Sequence, residues 1–302
     1  MRGGDGVRIW GQLYEWFKGA PHLSGAYAAS STIAPSLRAR WAISSSVALG
    51  ALLMWLAPTS LHAAEPPGDP ANGFQVRFEA AAPPNWQVAY YAFSHPMFDT
   101  DWSRANVAFD KGLHLTLTPQ EACENRFSGG SIRHTSLSHY GRYEATIRPA
   151  KGDGVVTGFF TYTGPYYGAR HDEIDIEFLG QDTTTINLAW FVDGQLHDRK
   201  VPLGFDAAER AARYAFEWHP DRLRWFAGDH LLLEVTAEEA PLPQVAGYLF
   251  ANLWAVDKSL KDWAGEAKAQ TTASAFVTDI RFIPLAQMPS AQTGRGNLNA
   301  MR

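Results

Sequence analysis

From Gly73 onward the chain reads as strand after strand, short runs of alternating or β-branched side chains separated by turn signals. Alternation with a period of two puts every second side chain on one face of an extended strand, and a helix cannot use it. "HLTLTP" (114–119) alternates and ends on Pro. "RYEATIRPA" (142–150) places Tyr143, Ala145 and Ile147 together, and "RYAFEWHP" does the same with Tyr214, Phe216 and Trp218. "GVVTGFFTYTG" (154–164) is a β-branched and aromatic run between glycines. "RLRWFAGDHLLLEVT" reads as a hairpin turning near Gly228 and Asp229, and "GYLFANLWAV" and "SAFVTDIRFIPL" add two more strands. Only "FDAAERAA" (205–212) suggests a helix. Many short strands between turn signals predict an all-β sandwich or barrel, with one domain over about residues 70–287.

Composition narrows the function classes. The chain has 302 residues, 46% hydrophobic and 19% charged, so a large core is within reach. Aromatic residues reach 13%, with 11 Trp; such rings fill sandwich cores and also stack on sugars. A formal net charge of -5 gives no reason to expect a nucleic-acid partner. Cys123 is the single cysteine, which excludes an intrachain disulfide and a metal site built on Cys ligands. Arg38 and Arg40 precede the apolar run "WAISSSVALGALLMWLAP", and "TSLHAAEPPG" follows. Basic, apolar, then small residues is the order of a secretory signal, with cleavage near Ala63 or Ala64. An uncleaved anchor is the alternative, since about 17 apolar residues is near the lower limit for a membrane span. Residues 1–64 are therefore expected to be an N-terminal extension plus signal peptide, and the mature protein to be secreted or periplasmic without stable membrane association. The small polar tail 288–302 is expected to be disordered.

In "HDEIDIEFLG" (171–180), Glu173, Asp175 and Glu177 share one face of a strand, while Ile174, Ile176 and Phe178 share the other. A solvated sheet face explains the alternation, but not three acids without a Lys, Thr or Ser among them. Like charges this close raise one another's pKa values, and such strain is typical of sites that use it. Retaining glycoside hydrolysis wants this arrangement: one ionised carboxylate as nucleophile and one protonated carboxyl as acid, about 5–5.5 Å apart. Cα atoms at i and i+4 on a strand are roughly 13 Å apart, a gap that two glutamates leaning together largely close. Asp175, between them, can hydrogen-bond the nucleophile and help keep the acid protonated. The preceding "FFTYTGPYYGARH" adds Phe159, Phe160, Tyr162, Tyr166 and Tyr167 as candidate sugar-stacking rings.

At these residues the sequence resembles glycoside hydrolase family 16, and within it the bacterial lichenases and exopolysaccharide-trimming endoglycanases. "DEIDIEFLGQDTT" carries the family's Glu-x-Asp-x-Glu motif. "YGRYEATIRPAKGDGVVTGFFTYTGP", "LGFDAAERAARYAFEWHP", "FANLWAVDKSLKDWAG" and "IRFIP" extend the resemblance over most of residues 73–285. It implies a jelly-roll of two curved antiparallel sheets with a concave substrate cleft. It also implies Glu173 as nucleophile, Glu177 as acid/base and Asp175 as the residue assisting the nucleophile. Arg133, Asn252, Trp254 and Trp263 stand at cleft positions of these enzymes, and Phe98 and Phe160 at aromatic positions lining the substrate side. The chemistry requires no cofactor. A structural Ca²⁺ on the convex face is implied at Asp279.

The departures from lichenases fall in the cleft. Ser131 replaces a glutamate, His171 a tryptophan, Ala189 an asparagine and Phe191 a tyrosine, and Ala92 and Ser94 stand where a Tyr-x-Asn is expected. His171 and Phe191 are therefore candidate substrate contacts of a rewritten subsite set. The expected function is a secreted, monomeric endo-β-glycanase acting on β-linked glucan or bacterial exopolysaccharide by double displacement. The alternatives are a cell-surface polysaccharide transglycosylase using the same covalent intermediate, and a carbohydrate-binding protein without turnover.

Overall fold

The computed structural model describes residues 73–121 and 123–289. The expected export segment and the tail from residue 290 lie outside the described residues. Sixteen strands run in chain order. They are β1 (Phe74–Arg77), β2 (Trp86–Val88), β3 (Thr100–Trp102), β4 (Val107–Phe109), β5 (Leu113–Pro119), β6 (Phe127–Ser138), β7 (Gly141–Arg148) and β8 (Val155–Thr163). The series continues with β9 (Asp172–Leu179), β10 (Thr185–Val192), β11 (Gln195–Pro202), β12 (Ala212–Trp218), β13 (Arg222–Ala227), β14 (His230–Thr236), β15 (Gly247–Ala255) and β16 (Ala273–Pro284).

Two curved sheets form a jelly-roll sandwich. The cleft sheet runs β11-β10-β9-β8-β15-β6, with β2 added beside β6. The outer sheet runs β5-β16-β7-β12-β13-β14, with β1 on β16 and β4 on β5. The pairings are antiparallel, save that the short β3 lies parallel to the start of β6. β6 belongs to both sheets: its first residues pair with β5 and the rest with β15. Glycines make this passage possible. A Cβ on Gly129 would lie 2.3 Å from the Leu253 carbonyl oxygen, and one on Gly130 would lie 2.4 Å from that of Asn106.

The main core lies between the sheets and is rich in large rings. Tyr143, Phe159, Phe178, Trp190, Tyr214, Phe216, Trp218 and Trp225 are all at most 1% exposed. Buried indoles need an acceptor. Trp190 and Trp218 donate to the carbonyls of Pro241 and Pro243, each at 3.0 Å, and Trp225 of the outer sheet donates to the Asp175 carbonyl at 3.0 Å. The last of these ties the core directly to the middle of the acidic strand. A second, smaller apolar cluster sits on the other face of the cleft sheet, where Trp102, Val156, Leu179, Trp254, Val256, Leu260 and Ala264 pack together.

The helix expected at 205–212 is absent; these residues form turns leading into β12. Asp206 takes the hydrogen bonds that a helix would have formed locally. Its Oδ1 accepts from Ala208 N at 3.0 Å and from the Thr183 hydroxyl at 2.6 Å, and its Oδ2 accepts from Lys151 Nζ at 2.6 Å. An aspartate bonding its own backbone two residues on competes with helix formation. Among the described residues the α-helical turn is Lys261–Ala264, in a stretch with no helical periodicity to announce it.

Candidate active site

The cleft face is a grid whose columns are strands and whose rows are set by register. In the first row Tyr248, Tyr162, Glu173, Phe191 and Leu196 stand side by side across β15, β8, β9, β10 and β11. In the second stand Phe250, Phe160, Asp175, Ala189 and Asp198, and in the third Asn252, Gly158, Glu177, Asn187 and Lys200. Glu173, Asp175 and Glu177 therefore form the central column. Behind them Ile174, Ile176 and Phe178 are 0% exposed. Burying each such side chain stabilises the fold by about 1.5–3 kcal/mol, which holds the strand in register against the cost of three carboxylates on its other side.

Two of the three acids have pKa values raised above the ordinary carboxylate range. Asp175 is 4% exposed. Burial raises its pKa well above the ordinary carboxylate range, the charges of Glu173 and Glu177 raise it further, and so does a hydrogen bond to Glu173. A neutral Asp175 is then the donor in that bond. Glu177 is pushed up to about 8, chiefly by burial and also by the charges of Glu173 and Asp198, against the Asn187 hydrogen bond that lowers it. Asn187 Nδ2 lies 2.9 Å from Glu177 Oε2. Glu173 accepts from His171 Nε2 at 2.5 Å. Asp175 and Glu177 thus both hold their protons more tightly than ordinary carboxyls do.

Four of the residues singled out from the sequence, His171, Phe160, Phe191 and Asn252, border this column. Phe160 adjoins Asp175 and stacks on Phe250, with centroids 5.0 Å apart and planes 7° apart. Phe191 adjoins Glu173 and stacks on His171 at 4.6 Å. Asn252 lies in the Glu177 row beside Gly158, whose missing Cβ would come within 2.6 Å of Asn252 Oδ1. Arg133 lies further out on β6, opposite Phe250, and bonds Gln87 Oε1 at 2.6 Å. Its guanidinium sits 4.3 Å from the Tyr248 ring centroid. Phe98, Trp254 and Trp263 belong to the second apolar cluster rather than to the centre. Trp254 is 4% exposed, stacked under Phe98 at 4.0 Å and 6.2 Å from Trp263. It offers a sugar little surface, and its place is in the wall beyond the Glu177 row. Asp279 is remote from the cleft, on β16 of the outer sheet.

Three buried oxygens in the column and its borders have no hydrogen-bond partner: Asp175 Oδ2, Asn187 Oδ1 and Asn252 Oδ1. Unmade bonds at buried acceptors are costly. All three lie in or beside the Glu177 and Asp175 rows.

Asn187 was not legible as a site residue from spacing. The amide is sought at position 189, where Ala189 stands opposite Asp175, yet the register puts Asn187 opposite Glu177. A polar residue inside the apolar run "TINLAWFV" was the available signal. His95 was also missed. It stacks on Phe93 at 5.6 Å, and its pKa is lowered to about 4, by burial first and then by nearby His171. Asp172 carries no chemistry but pins the column. Its carboxylate accepts from Arg170 at 2.9 Å and from the main-chain N–H groups of Gln244, Val245 and Asp193 at 2.7, 3.1 and 3.1 Å.

Known proteins share this fold. Residues 94–275 match the family model of glycosyl hydrolases family 16. A β-glucanase of Paenibacillus macerans is 36% identical over 181 residues, covering 60% of this chain and 75% of that one. A β-glucanase of Bacillus subtilis is 36% identical over 198 residues, covering 65% and 77%. The solved structure of the Bacillus licheniformis β-glucanase is 34% identical and superposes with a TM-score of 0.65, covering 71% of this chain and 99% of that one. With the family model spanning more than half of its length, the chain belongs to glycosyl hydrolases family 16 and is a glycoside hydrolase.

Proposed function

We propose that the chain is an exported, retaining endo-β-glycanase that cleaves β-linked glucan by double displacement. The observation that carries this reading is the acidic column itself: Glu173 and a Glu177 whose pKa is pushed up to about 8 share one face of one strand, with Asp175 between them. In the first step Glu173 attacks the anomeric carbon and the glycosidic C–O bond breaks. Glu177 gives its proton to the leaving oxygen. Neutral Asp175 keeps a hydrogen bond on Glu173 as its charge passes into the ester. In the second step Glu177, now a carboxylate, takes a proton from water; the water attacks the same carbon and releases Glu173. Two inversions leave the β configuration.

Following the products of a β-glucan digest by proton NMR tests the proposal. The β-anomer should appear first and the α-anomer only by later mutarotation. An initial α-anomer would exclude the covalent intermediate. Export predicts a mature N-terminus near Ala64 or Glu65; the intact segment recovered from a membrane fraction would favour an anchor.

The relatives named above are β-glucanases, which supports a glucan backbone. The cleft departures bear on which glucan. Ser131, 5% exposed, adjoins Asn252, and Ala189 adjoins Asp175, so both small side chains lie within the grid. A pocket that lacks a hydroxyl-bonding group disfavours a substrate hydroxyl by up to about 10². Small residues also leave room for branches. Activity on linear mixed-linkage β-1,3-1,4-glucan should therefore be weaker than on a branched or substituted bacterial β-glycan. A comparison of kcat/KM on the two polymers decides this, and ordinary lichenase rates on the linear polymer would count against the substituted one.

A further inference from the structure

We propose that His171 is a positioning residue for the nucleophile, fixing the orientation of the Glu173 carboxylate, rather than a sugar contact. The inference rests on Glu173 being the nucleophile. His171 Nε2 lies 2.5 Å from Glu173 Oε2. An ionised carboxylate only accepts, so the imidazole must donate. With Asp175 bonding Glu173 as well, the nucleophile is held from two sides and its carboxylate cannot turn freely about its last bond.

The imidazole is itself held. Phe191 lies nearly parallel to it at 4.6 Å and Tyr162 stands edge-on at 5.2 Å. The His171 carbonyl accepts from Gly194 N at 2.9 Å, so the main chain is tied to the β10–β11 turn. The next residue, Asp172, is the buried hub already described. Packed in this way, the His171 side chain is only 12% exposed, which leaves little ring surface for a sugar. Among the titratable groups facing it are Glu173 on β9, the strand it leads into, Tyr162 on the neighbouring β8, and His95 on the loop after β2. His95 Nδ1 accepts from Met97 N at 3.3 Å, so a neutral His95 carries its proton on Nε2. Its pKa, lowered to about 4 by burial and by His171, makes His95 a neutral neighbour of His171 near neutral pH.

Two substitutions separate positioning from sugar contact. His171→Phe keeps a flat ring between Phe191 and Tyr162 but removes the N–H. His171→Gln keeps an N–H donor within reach of Glu173. On a soluble β-glucan, H171F should lose about 10- to 100-fold in kcat, the size of a hydrogen bond to a charged group, with KM within about twofold. H171Q should recover most of that loss, and both variants should melt within a few degrees of the parent. The proposal falls if H171F keeps its kcat, if the loss appears in KM instead, or if H171Q is no better than H171F. Should H171F fail to fold, the H171Q arm decides alone: a raised KM at unchanged kcat would make His171 a sugar contact. Glu173→Gln in the same assay keeps the two failures apart, since an active E173Q would remove the nucleophile reading, whatever His171 does.

Discussion

The two sheets handle acidic side chains in opposite ways. On the solvent side of the outer sheet Arg142, Glu217 and Arg224 stand in one row across β7, β12 and β13. Arg142 reaches Glu217 at 3.0 Å and Glu144 at 3.1 Å, and Arg224 reaches Glu217 at 3.2 Å and Glu234 at 2.9 Å. Glu217 is 8% exposed. Burial alone would raise its pKa, but bonds from His219 and Arg142 and the charges of Arg142 and Arg224 overcome it, and the net shift is downward. Glu177 on the cleft sheet is flanked by Asn187 and Gly158 and shifts upward to about 8. The same alternating strand pattern thus yields a paired glutamate whose pKa is lowered on one sheet and one whose pKa is raised on the other. The difference lies in what stands one strand away: an arginine, or a neutral amide and a glycine.

The sharpest way to break this contrast is to remove each carboxylate. Glu173→Gln and Glu177→Gln should each cut kcat by at least the 10²- to 10⁴-fold typical of general acid catalysis. Glu217→Gln should leave kcat within about twofold and lower the melting temperature instead. Azide should rescue alanine variants of the two cleft glutamates by forming a glycosyl azide, α from loss of the nucleophile (one inversion) and β from loss of the acid/base (two inversions). Near-full activity of either glutamine variant on a substrate that the parent cleaves would overturn the roles.

A subtler test uses pH. The acid step needs Glu177 protonated, so kcat/KM should fall as pH rises through about 8. Asn187→Ala removes the one bond that lowers this pKa, and the alkaline limb should move upward. A limb that stays in place, or moves down, would disconnect Asn187 from the acid.

This division between sheets was only partly legible in the sequence. Period-two alternation gave the strands from "HLTLTP" to "SAFVTDIRFIPL", because alternation is the physical signature of a half-buried strand. The acidic column was legible for the same reason: Glu173, Asp175 and Glu177 are local in the chain, and one strand fixes their common face. Asn187 and His95 were not legible, because their proximity to the column comes from strand register and loop path, which depend on contacts distant in sequence. Trp254 shows the converse. Its position in the sequence points to the cleft, and the structure covers it with Phe98. The expected helix at 205–212 failed because Asp206 and the buried Ala207 are claimed by Thr183, a partner that no local pattern reveals.

Stability against pH gives a smaller effect with opposite signs on the two sheets. Glu177 has an ordinary value of 4.5 and a folded value of about 8, so the folded state holds the proton that the unfolded chain gives up between them. Stability therefore falls as pH rises through that window. E177Q should melt higher than the parent at about pH 9 and equally at about pH 4. Glu217 is shifted downward, so its contribution is present above its unfolded value and is lost as pH falls through its folded one. E217Q should melt lower than the parent at neutral pH and converge with it in acid. Scanning calorimetry of both variants at the two extremes checks the signs, and parallel curves for E177Q would mean that Glu177 ionises normally.

The smallest expected effect concerns the carboxylate of the outer sheet that breaks its own rule. Asp279 has no Lys or Arg within salt-bridge distance among the described residues; its Oδ2 accepts from the Thr278 hydroxyl at 2.8 Å. Calcium takes six to eight oxygen ligands. The described residues bring no cluster of three or more His, Cys, Asp or Glu side chains together, so a cation here would need mainly main-chain oxygens beside the single carboxylate. The register shift between Val277 and Asp279 takes Thr278 out of the regular ladder, and such bulges leave main-chain groups unpaired by the neighbouring strand. We propose that Asp279 holds a structural Ca²⁺ in place of the arginine that its counterparts use. Chelation by EDTA should then lower the melting temperature by a few degrees, since a bound ion stabilises the fold by mass action. Added Ca²⁺ should restore it, and Asp279→Asn should abolish both responses while leaving the pH profile of catalysis unchanged. Identical melting curves with EDTA and with excess Ca²⁺ would leave Asp279 as an unpaired carboxylate on the outer sheet, and the pairing seen around Glu217 would not extend to it.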